Sequence, residues 1–152
     1  CVCMPGQIQR YMNKISGPLL DRIDIQVEIT PVPFKDISQA VQGESSSVIR
    51  ERVIRARHMQ EQRFKEVKGI YSNAQMTERM IHQFAEPDAE GIELLRTAME
   101  RLSLSARAYN RILKVARTIA DLEQSEAVKS QHLAEAISYR NLDRGDWAER
   151  GN

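Results

Sequence analysis

The spacing of apolar residues changes from a period of two to a helical period along this chain. Between Ile23 and Ile29 apolar and polar residues alternate strictly, which is the pattern of a β-strand. The apolar positions of this run are Ile23, Ile25, Val27 and Ile29. Beyond Pro31 and Pro33 the apolar residues recur mostly at helical spacing. The pattern therefore predicts a short strand followed by a helical domain.

Five helices are predicted in the second part of the chain, after a short helical turn around Asp36–Val41. Helix starts are indicated by residues such as Thr77 and Asp88, and helix ends by Gly69 and Pro87. The predicted helices run from Ser47 to about Lys68, from Thr77 to Phe84, from Asp88 to about Leu102, from Ala106 to Glu123, and from Gln131 to about Asn141, with Ser130 as the cap of the last. The fourth has the most regular apolar stripe, formed by Tyr109, Ile112, Leu113, Ala116, Ile119 and Ala120.

Arg22 lies between two local structure signals. Gly17 followed by Pro18 predicts a brief helical turn, because proline is tolerated at the first helical positions. The predicted strand begins directly after Arg22. From the residues alone, this arginine is either a surface side chain that pairs with Asp21 or Asp24, or a functional cation.

Composition excludes little beyond membrane insertion and export. The 152 residues are 41% hydrophobic and 28% charged, which is ordinary for a globular chain. No apolar run is long enough for a membrane span and no secretory leader is present, so we expect a cytoplasmic protein without a membrane partner. A net charge of +1 is too small for overall charge to indicate nucleic acid, so any site for a polyanion must be local.

Two features predict that the chain is the trimmed end of a longer protein. It begins with Cys1 rather than methionine, and the predicted strand has no partner strand in the rest of the sequence. The Gly-x-x-x-x-Gly-Lys-Ser/Thr loop that cradles nucleotide phosphates is absent from the sequence. We therefore expect this chain to hydrolyse no ATP by itself.

A set of three arginines and one further arginine are candidates for anion binding. The first predicted helix is basic, and Arg50, Arg55 and Arg57 form either a phosphate-facing patch or a solvated face. The second candidate is Arg107, in the first turn after the cap Ser105. A cation is locally unfavourable there because the helix dipole favours anions. Arg107 either extends into solvent, or stacks on a neighbouring residue, or completes an anion site with the free amides of the turn.

Two segments resemble parts of one ATPase family. The run Lys14-Ile15-Ser16-Gly17-Pro18-Leu19-Leu20-Asp21-Arg22-Ile23-Asp24 is similar to the segment after the nucleotide-sensing strand of magnesium-chelatase-like AAA+ ATPases, in particular their competence-M branch. The run from Ser105 to Leu122, beginning Ser-Ala-Arg-Ala-Tyr-Asn, is similar to the lid helix of the same family. Either motif alone is weak, whereas the two in this order are specific, and the resemblance covers nearly the whole chain.

The resemblance implies a mainly α fold of two parts. Residues 1–30 would be a short strand-containing stub of the α/β ATPase core, and residues 31–152 a helical lid domain of about five helices. Pro31 and Pro33 would mark the hinge, because proline removes backbone donors and forces extended backbone.

The same resemblance implies roles for two arginines in the longer protein. Arg22 would be the arginine finger that reaches the ATP of a neighbouring subunit, and Arg107 would sense the γ-phosphate of the ATP in its own subunit. Arg117 lies elsewhere around the lid helix and is interpreted as structural. ATP and magnesium would be the cofactors of the longer protein, and none is expected to be bound by this chain alone.

The implied function is ring assembly, as a hexamer of identical copies, and the coupling of ATP hydrolysis to DNA remodelling such as branch migration during recombination or transformation. Two alternatives stay open. One is a chelatase-like or chaperone ATPase that acts on a protein complex. The other is a helical protein-interaction module without a nucleotide role.

Cys1 and Cys3 are either reduced thiols or half of a zinc site, because tetrahedral zinc needs four ligands. Members of the resembled family carry further cysteines just upstream, which would supply the missing ligands. Zinc is therefore possible in the longer protein, and ordered metal is not expected in this chain.

Overall fold

The computed structural model describes residues 4–12, 14–20, 22–27, 29, 31–34 and 43–140. The mainly α prediction is confirmed. The helices are α1 Pro5–Met12, α2 Gly17–Leu20, α3 Ser46–Phe64, α4 Glu78–Phe84, α5 Ala89–Leu102, α6 Ala106–Leu122 and α7 Ser130–Ser138, with a short 3-10 helix at Asn73–Gln75. Helices α3 to α7 are the five predicted ones, each within a few residues of its expected bounds. Helix α1 had no predicted counterpart, and the turn expected around Asp36–Val41 lies outside the described residues.

The strand predicted between Ile23 and Ile29 is wrong for the described residues of that range, which belong to no sheet. A strand requires a partner ladder, and the backbone N–H of Gln26 instead donates to the carbonyl oxygen of Tyr139 at the end of α7, at 2.9 Å. Ile25 and Val27 are 52% and 62% exposed, whereas Gln26 is 7% exposed. Gln26, a polar position of the alternating pattern, is therefore buried against the helices, while the apolar Ile25 and Val27 stay largely exposed.

Helix α6 is the centre of the helical domain. Its predicted apolar stripe is buried at Ile112, Leu113, Ala116, Ile119 and Ala120. Every other helix of the domain contributes to the same core, through Phe64 of α3, Ile81 of α4, Leu95 of α5 and Leu133 of α7. Burying a large apolar side chain of this kind stabilises a fold by about 1.5–3 kcal/mol, so the stripe and the side chains packed on it both stabilise the domain.

A buried carboxylate, Asp121 near the end of α6, joins three elements. Arg63 of α3 binds both its oxygens, with Nη1 to Oδ2 at 2.8 Å and Nη2 to Oδ1 at 2.5 Å. Asn73 donates Nδ2 to Oδ2 at 2.7 Å, and Arg117 donates Nε to Oδ1 at 3.0 Å. Asp121 is fully buried. These four bonds replace the hydrogen bonds to water that the carboxylate loses on burial.

The interpretation of Arg117 as a structural residue is confirmed. Its side chain is buried, and it donates Nη2 to the carbonyl of Ser125 at 2.5 Å and Nη1 to the carbonyl of Glu126 at 2.7 Å. Burial lowers the pKa of Arg117, and the negative charge of Asp121 opposes that shift. The arginine therefore ties the loop after α6 to the helix itself.

The predicted caps are confirmed in part, since Thr77 occupies the cap position of α4 but its side chain makes no cap hydrogen bond. The side chains of Asp88 and Ser105 accept from the backbone N–H groups of Gly91 and Ala108, as expected. Ser130, the predicted cap of α7, is instead the first residue of that helix. Instead of a serine cap, a histidine side chain of the first turn binds the backbone N–H of Lys129, the residue before the helix.

That histidine is His132, which is fully buried. Its Nδ1 accepts from the backbone N–H of Lys129 at 2.9 Å. A backbone N–H can only donate, so Nε2 carries the ring proton and donates it to the Glu123 carboxylate at 3.0 Å. This bond holds the pKa of Glu123 below its usual value.

Replacing Asp121 with asparagine should be strongly destabilising. The variant keeps the shape but leaves Arg63 and Arg117 without their anion, and breaking a buried charge pair typically costs about 3–5 kcal/mol. Denaturant unfolding of the 152-residue chain measures the loss. The matched control is Glu93→Gln, which disrupts the exposed pair between Glu93 and Arg96 and should leave the unfolding midpoint unchanged. Equal effects of the two variants would contradict the role given to Asp121.

Gly91→Ala tests the packing of α5 on α7. A Cβ at this position would lie 2.6 Å from Leu133 Cδ1 and 2.9 Å from Pro87 Cβ. Overpacking of this kind costs about 1–3 kcal/mol, against a gain of up to about 1 kcal/mol in helix propensity. We expect a lower melting temperature. Gly43→Ala, where no described residue other than its chain neighbours lies within 4 Å of the added Cβ, serves as the control and should not lower it.

Candidate functional site

One face of α6 carries three cations at helical spacing. Arg107, Arg111 and Lys114 are separated by four and three residues and therefore lie on the same side. Arg111 forms an ion pair with Asp24. Lys114 donates Nζ to the carbonyl of Ala74 at 2.8 Å. Arg107 is exposed and has no hydrogen bond or ion pair with any residue that the structure describes.

The position of Arg107 favours an anionic ligand. It is the second residue of α6, a helix of 17 residues whose first turn is capped by the Ser105 hydroxyl, which accepts from Ala108 at 3.2 Å. The remaining N–H groups of the turn and the positive end of the helix dipole attract negative charge. A phosphate at this end would bring the guanidinium and the helix terminus into use together.

Arg22 follows the short helix α2 closely. Its backbone N–H donates to the carbonyl of Leu19 at 2.9 Å, and that of Ile23 donates to the carbonyl of Leu20 at 3.0 Å. Its side chain is exposed and forms no ion pair within the described part of the chain. The local pair with Asp24 is not formed, since that carboxylate binds Arg111, and Asp21 lies outside the described residues.

The segment after Arg22 is docked on the helical domain by three contacts, which together we call the Asp24 clamp. They are the ion pair of Asp24 with Arg111, the bond from Arg140 Nη1 to the carbonyl of Ile23 at 2.6 Å, and the bond from the Gln26 backbone to that of Tyr139. Arg140 is 1% exposed. No local sequence pattern indicates the clamp, because its partners lie far apart in the chain.

A largely apolar cavity of about 470 Å³ lies beside the clamp. It is lined by Ile25, Val27, Val115, Ile119, Leu122 and Tyr139, with Asp24, Lys114 and Glu135 among its polar groups. Burial lowers the pKa of Lys114, although the nearby charge of Asp24 acts in the opposite direction. An apolar lining of this kind fits side chains better than a triphosphate.

The basic helix α3 presents the candidate nucleic-acid residues Arg50, Arg55 and Arg57 to solvent. Arg50 and Arg57, seven residues apart, share a face, and Arg55 lies on a different side. Two other arginines of the helix are used within the protein. Arg52 binds Glu44 at 2.9–3.0 Å, and Arg63 is turned inward to Asp121. The positive charge available to a ligand is therefore smaller than the helix sequence suggests.

The described residues contain neither a cluster of potential metal ligands nor a candidate membrane-spanning helix. Cys1 and Cys3, the candidate zinc ligands, lie outside them. Within the described ranges no group of three or more His, Cys, Asp or Glu side chains is arranged to hold a metal ion. None of the helices described is long and apolar enough to cross a membrane.

Comparison with known proteins identifies two family regions. Residues 43–140 match the C-terminal domain of magnesium chelatase subunit ChlI, and residues 1–37 match the magnesium chelatase subunit ChlI family itself. The first region contains Arg107 and the second contains Arg22.

Curated relatives align along nearly all of the chain. The uncharacterized protein YifB of Escherichia coli (strain K12) is 44% identical over 143 residues, and competence protein ComM of Haemophilus influenzae is 38% identical over 141 residues. These alignments cover 93% and 92% of this chain but 27% of each relative. The chain thus spans about a quarter of the length of these relatives. It belongs to the magnesium chelatase ChlI family, in the branch that includes competence protein ComM.

Proposed function

We propose that this chain acts as the C-terminal part of a ring-forming AAA+ ATPase that couples ATP hydrolysis to DNA remodelling. The observation that carries the proposal is the state of the cations on α6. Arg111 and Lys114 are bound within the protein, whereas Arg107 extends from the helix start with no partner among the described residues. Family membership supports the proposal, as does the name of the Haemophilus relative, a competence protein.

In this proposal the two arginines act on different ATP molecules. Arg107 contacts the γ-phosphate bound to its own subunit, where the start of α6 adds backbone donors. Arg22 extends to the ATP of the neighbouring copy and stabilises negative charge during phosphoryl transfer to water. A finger supplied in trans raises turnover by roughly 10³–10⁵. The longer protein supplies the phosphate loop and the magnesium site, and the ring is proposed to be a hexamer.

The proposed motion is a rotation of the helical domain, residues 31–152, relative to the core that contains residues 1–30, about a hinge at Pro31–Pro33. In the described conformation the Asp24 clamp joins residues 23–26 to α6 and to the end of α7. Rotation about this hinge therefore requires the clamp to open. The division at the hinge remains a prediction.

DNA is the proposed client, with Arg50, Arg55 and Arg57 at exposed positions of α3 as candidate phosphate contacts. Two other outcomes are a protein complex as the client and a helical interaction module without a nucleotide role. Measurements of ATP turnover and DNA binding separate them from the proposed function.

Alanine substitution of Arg22 or Arg107 in the full-length protein should lower ATP turnover by orders of magnitude, because each removes a cation from the proposed transition state. Arg101→Ala, at another exposed position near a helix end, is the matched control and should keep wild-type turnover. If both Arg22→Ala and Arg107→Ala stay within about twofold of wild type, against the loss expected for a finger, neither residue has a motor role.

Charge reversal of Arg50, Arg55 and Arg57 to glutamate should weaken DNA binding and flatten its dependence on salt. Each lost phosphate contact on duplex DNA reduces the slope of log K against log salt by about 0.9. Titrations at several salt concentrations measure that slope. Reversal of Arg79, Arg101 and Lys129 changes the net charge equally at exposed positions that are not part of α3 and is the control. An equal slope in the wild type and the α3 variant would remove this helix from the DNA interface.

A further inference from the structure

We propose that Asp24 and Arg111 are positioning residues that link the two functional arginines within one subunit. This inference rests on the proposed function and assigns a role that neither residue type nor spacing indicated. Asp24 lies two residues after Arg22, and Arg111 lies one helical turn after Arg107 on the same face of α6. Their ion pair therefore joins the backbone next to the finger to the helix that carries the nucleotide sensor.

The backbone at Arg22 is held from both directions. On the N-terminal side, the N–H groups of Arg22 and Ile23 bond to carbonyls of α2. On the C-terminal side, Arg140 binds the Ile23 carbonyl at 2.6 Å, and Gln26 Nε2 donates back to the carbonyl of Leu20 at 3.3 Å. These bonds leave the backbone between α2 and the helical domain little freedom to move. A shift of α6 toward or away from a nucleotide would therefore move the backbone of Arg22.

The ion pair between Asp24 and Arg111 can open as well as hold the two elements together. The Asp24 side chain is 52% exposed and that of Arg111 is 28% exposed. Solvent screens a pair of this kind, so its contribution is modest. By contrast, the Arg140 contact is buried. A phosphate drawn to Arg107 would shift this pair by as much as its affinity differs between the paired and the open state.

The consequence is communication between neighbouring ATP sites. ATP bound at Arg107 would set the state of the Asp24–Arg111 pair, and that pair would set the position of Arg22 at the next subunit's ATP. Turnover would then be cooperative in ATP, because each occupied site prepares its neighbour.

The test compares pair-breaking and pair-keeping variants of the full-length protein. Asp24→Asn and Arg111→Gln should lower the Hill coefficient for ATP turnover from its wild-type value to about 1. They should leave KM within about threefold, since Arg107 is retained. The conservative variants Asp24→Glu and Arg111→Lys, which keep both charges, should retain the wild-type Hill coefficient. Glu93→Gln, which breaks an exposed pair on α5, is the control.

A second readout uses the 152-residue chain without nucleotide. Asp24→Asn should speed amide hydrogen exchange at Gln26, whose N–H binds the carbonyl of Tyr139, while exchange in the α6 core stays as in wild type. Unchanged exchange at Gln26 would contradict the docking role of the pair.

The outcomes separate this inference from the proposed function. If Arg22→Ala and Arg107→Ala abolish turnover, but wild-type turnover is not cooperative or the pair-breaking variants keep the wild-type Hill coefficient, the coupling role is overturned and the proposed function stands. If both alanine variants keep full turnover, the proposed function falls and the coupling role falls with it.

Discussion

The helical domain depends on one buried carboxylate. Asp121 lies at the point where α3, α6 and the 3-10 helix meet, and it accepts bonds from Arg63, Arg117 and Asn73. Apolar packing along α6 brings the helices together, but it tolerates small rotations and shifts. The hydrogen bonds of the carboxylate do not tolerate such shifts, because Arg63 and Asn73 each fix the position of their own element relative to α6. The direction in which α6 presents Arg107 depends on that arrangement.

The cationic face of α6 depends on the same geometry. With the helix fixed by Asp121, the cations at 107, 111 and 114 lie along one side of the domain. The first is free for a ligand among the described residues, the second docks the segment after Arg22, and the third binds a backbone carbonyl. One helix thereby presents a candidate phosphate contact and holds the neighbourhood of a candidate finger. This juxtaposition links the fold to the proposed coupling between ATP sites.

Local signals in the sequence predicted the helices well, since Asp88, Ser105 and the apolar stripe of α6 determine structure within a few residues. Local signals alone could not establish whether the strand predicted at Ile23–Ile29 forms. Its alternation is real, but a strand also needs a partner, and here Gln26 faces α7 while Ile25 and Val27 stay exposed. Only part of the candidate site has a local signal in the sequence. Arg107 stood out because a cation in the first turn of a helix is locally unfavourable. The pair of Asp24 with Arg111 joins positions 87 residues apart, and no local pattern contains it. The roles of Arg22 and Arg107 remain predictions that family membership supports.

ATP turnover by the full-length protein, measured without DNA and then with single-stranded and forked DNA, tests the central claim most directly. A motor that remodels DNA should hydrolyse ATP slowly alone and be strongly stimulated by one of these DNA structures. Turnover that is indifferent to DNA would contradict the DNA-remodelling function and favour a protein complex as the client. No turnover under any condition would contradict the ATPase assignment itself and leave a helical interaction module.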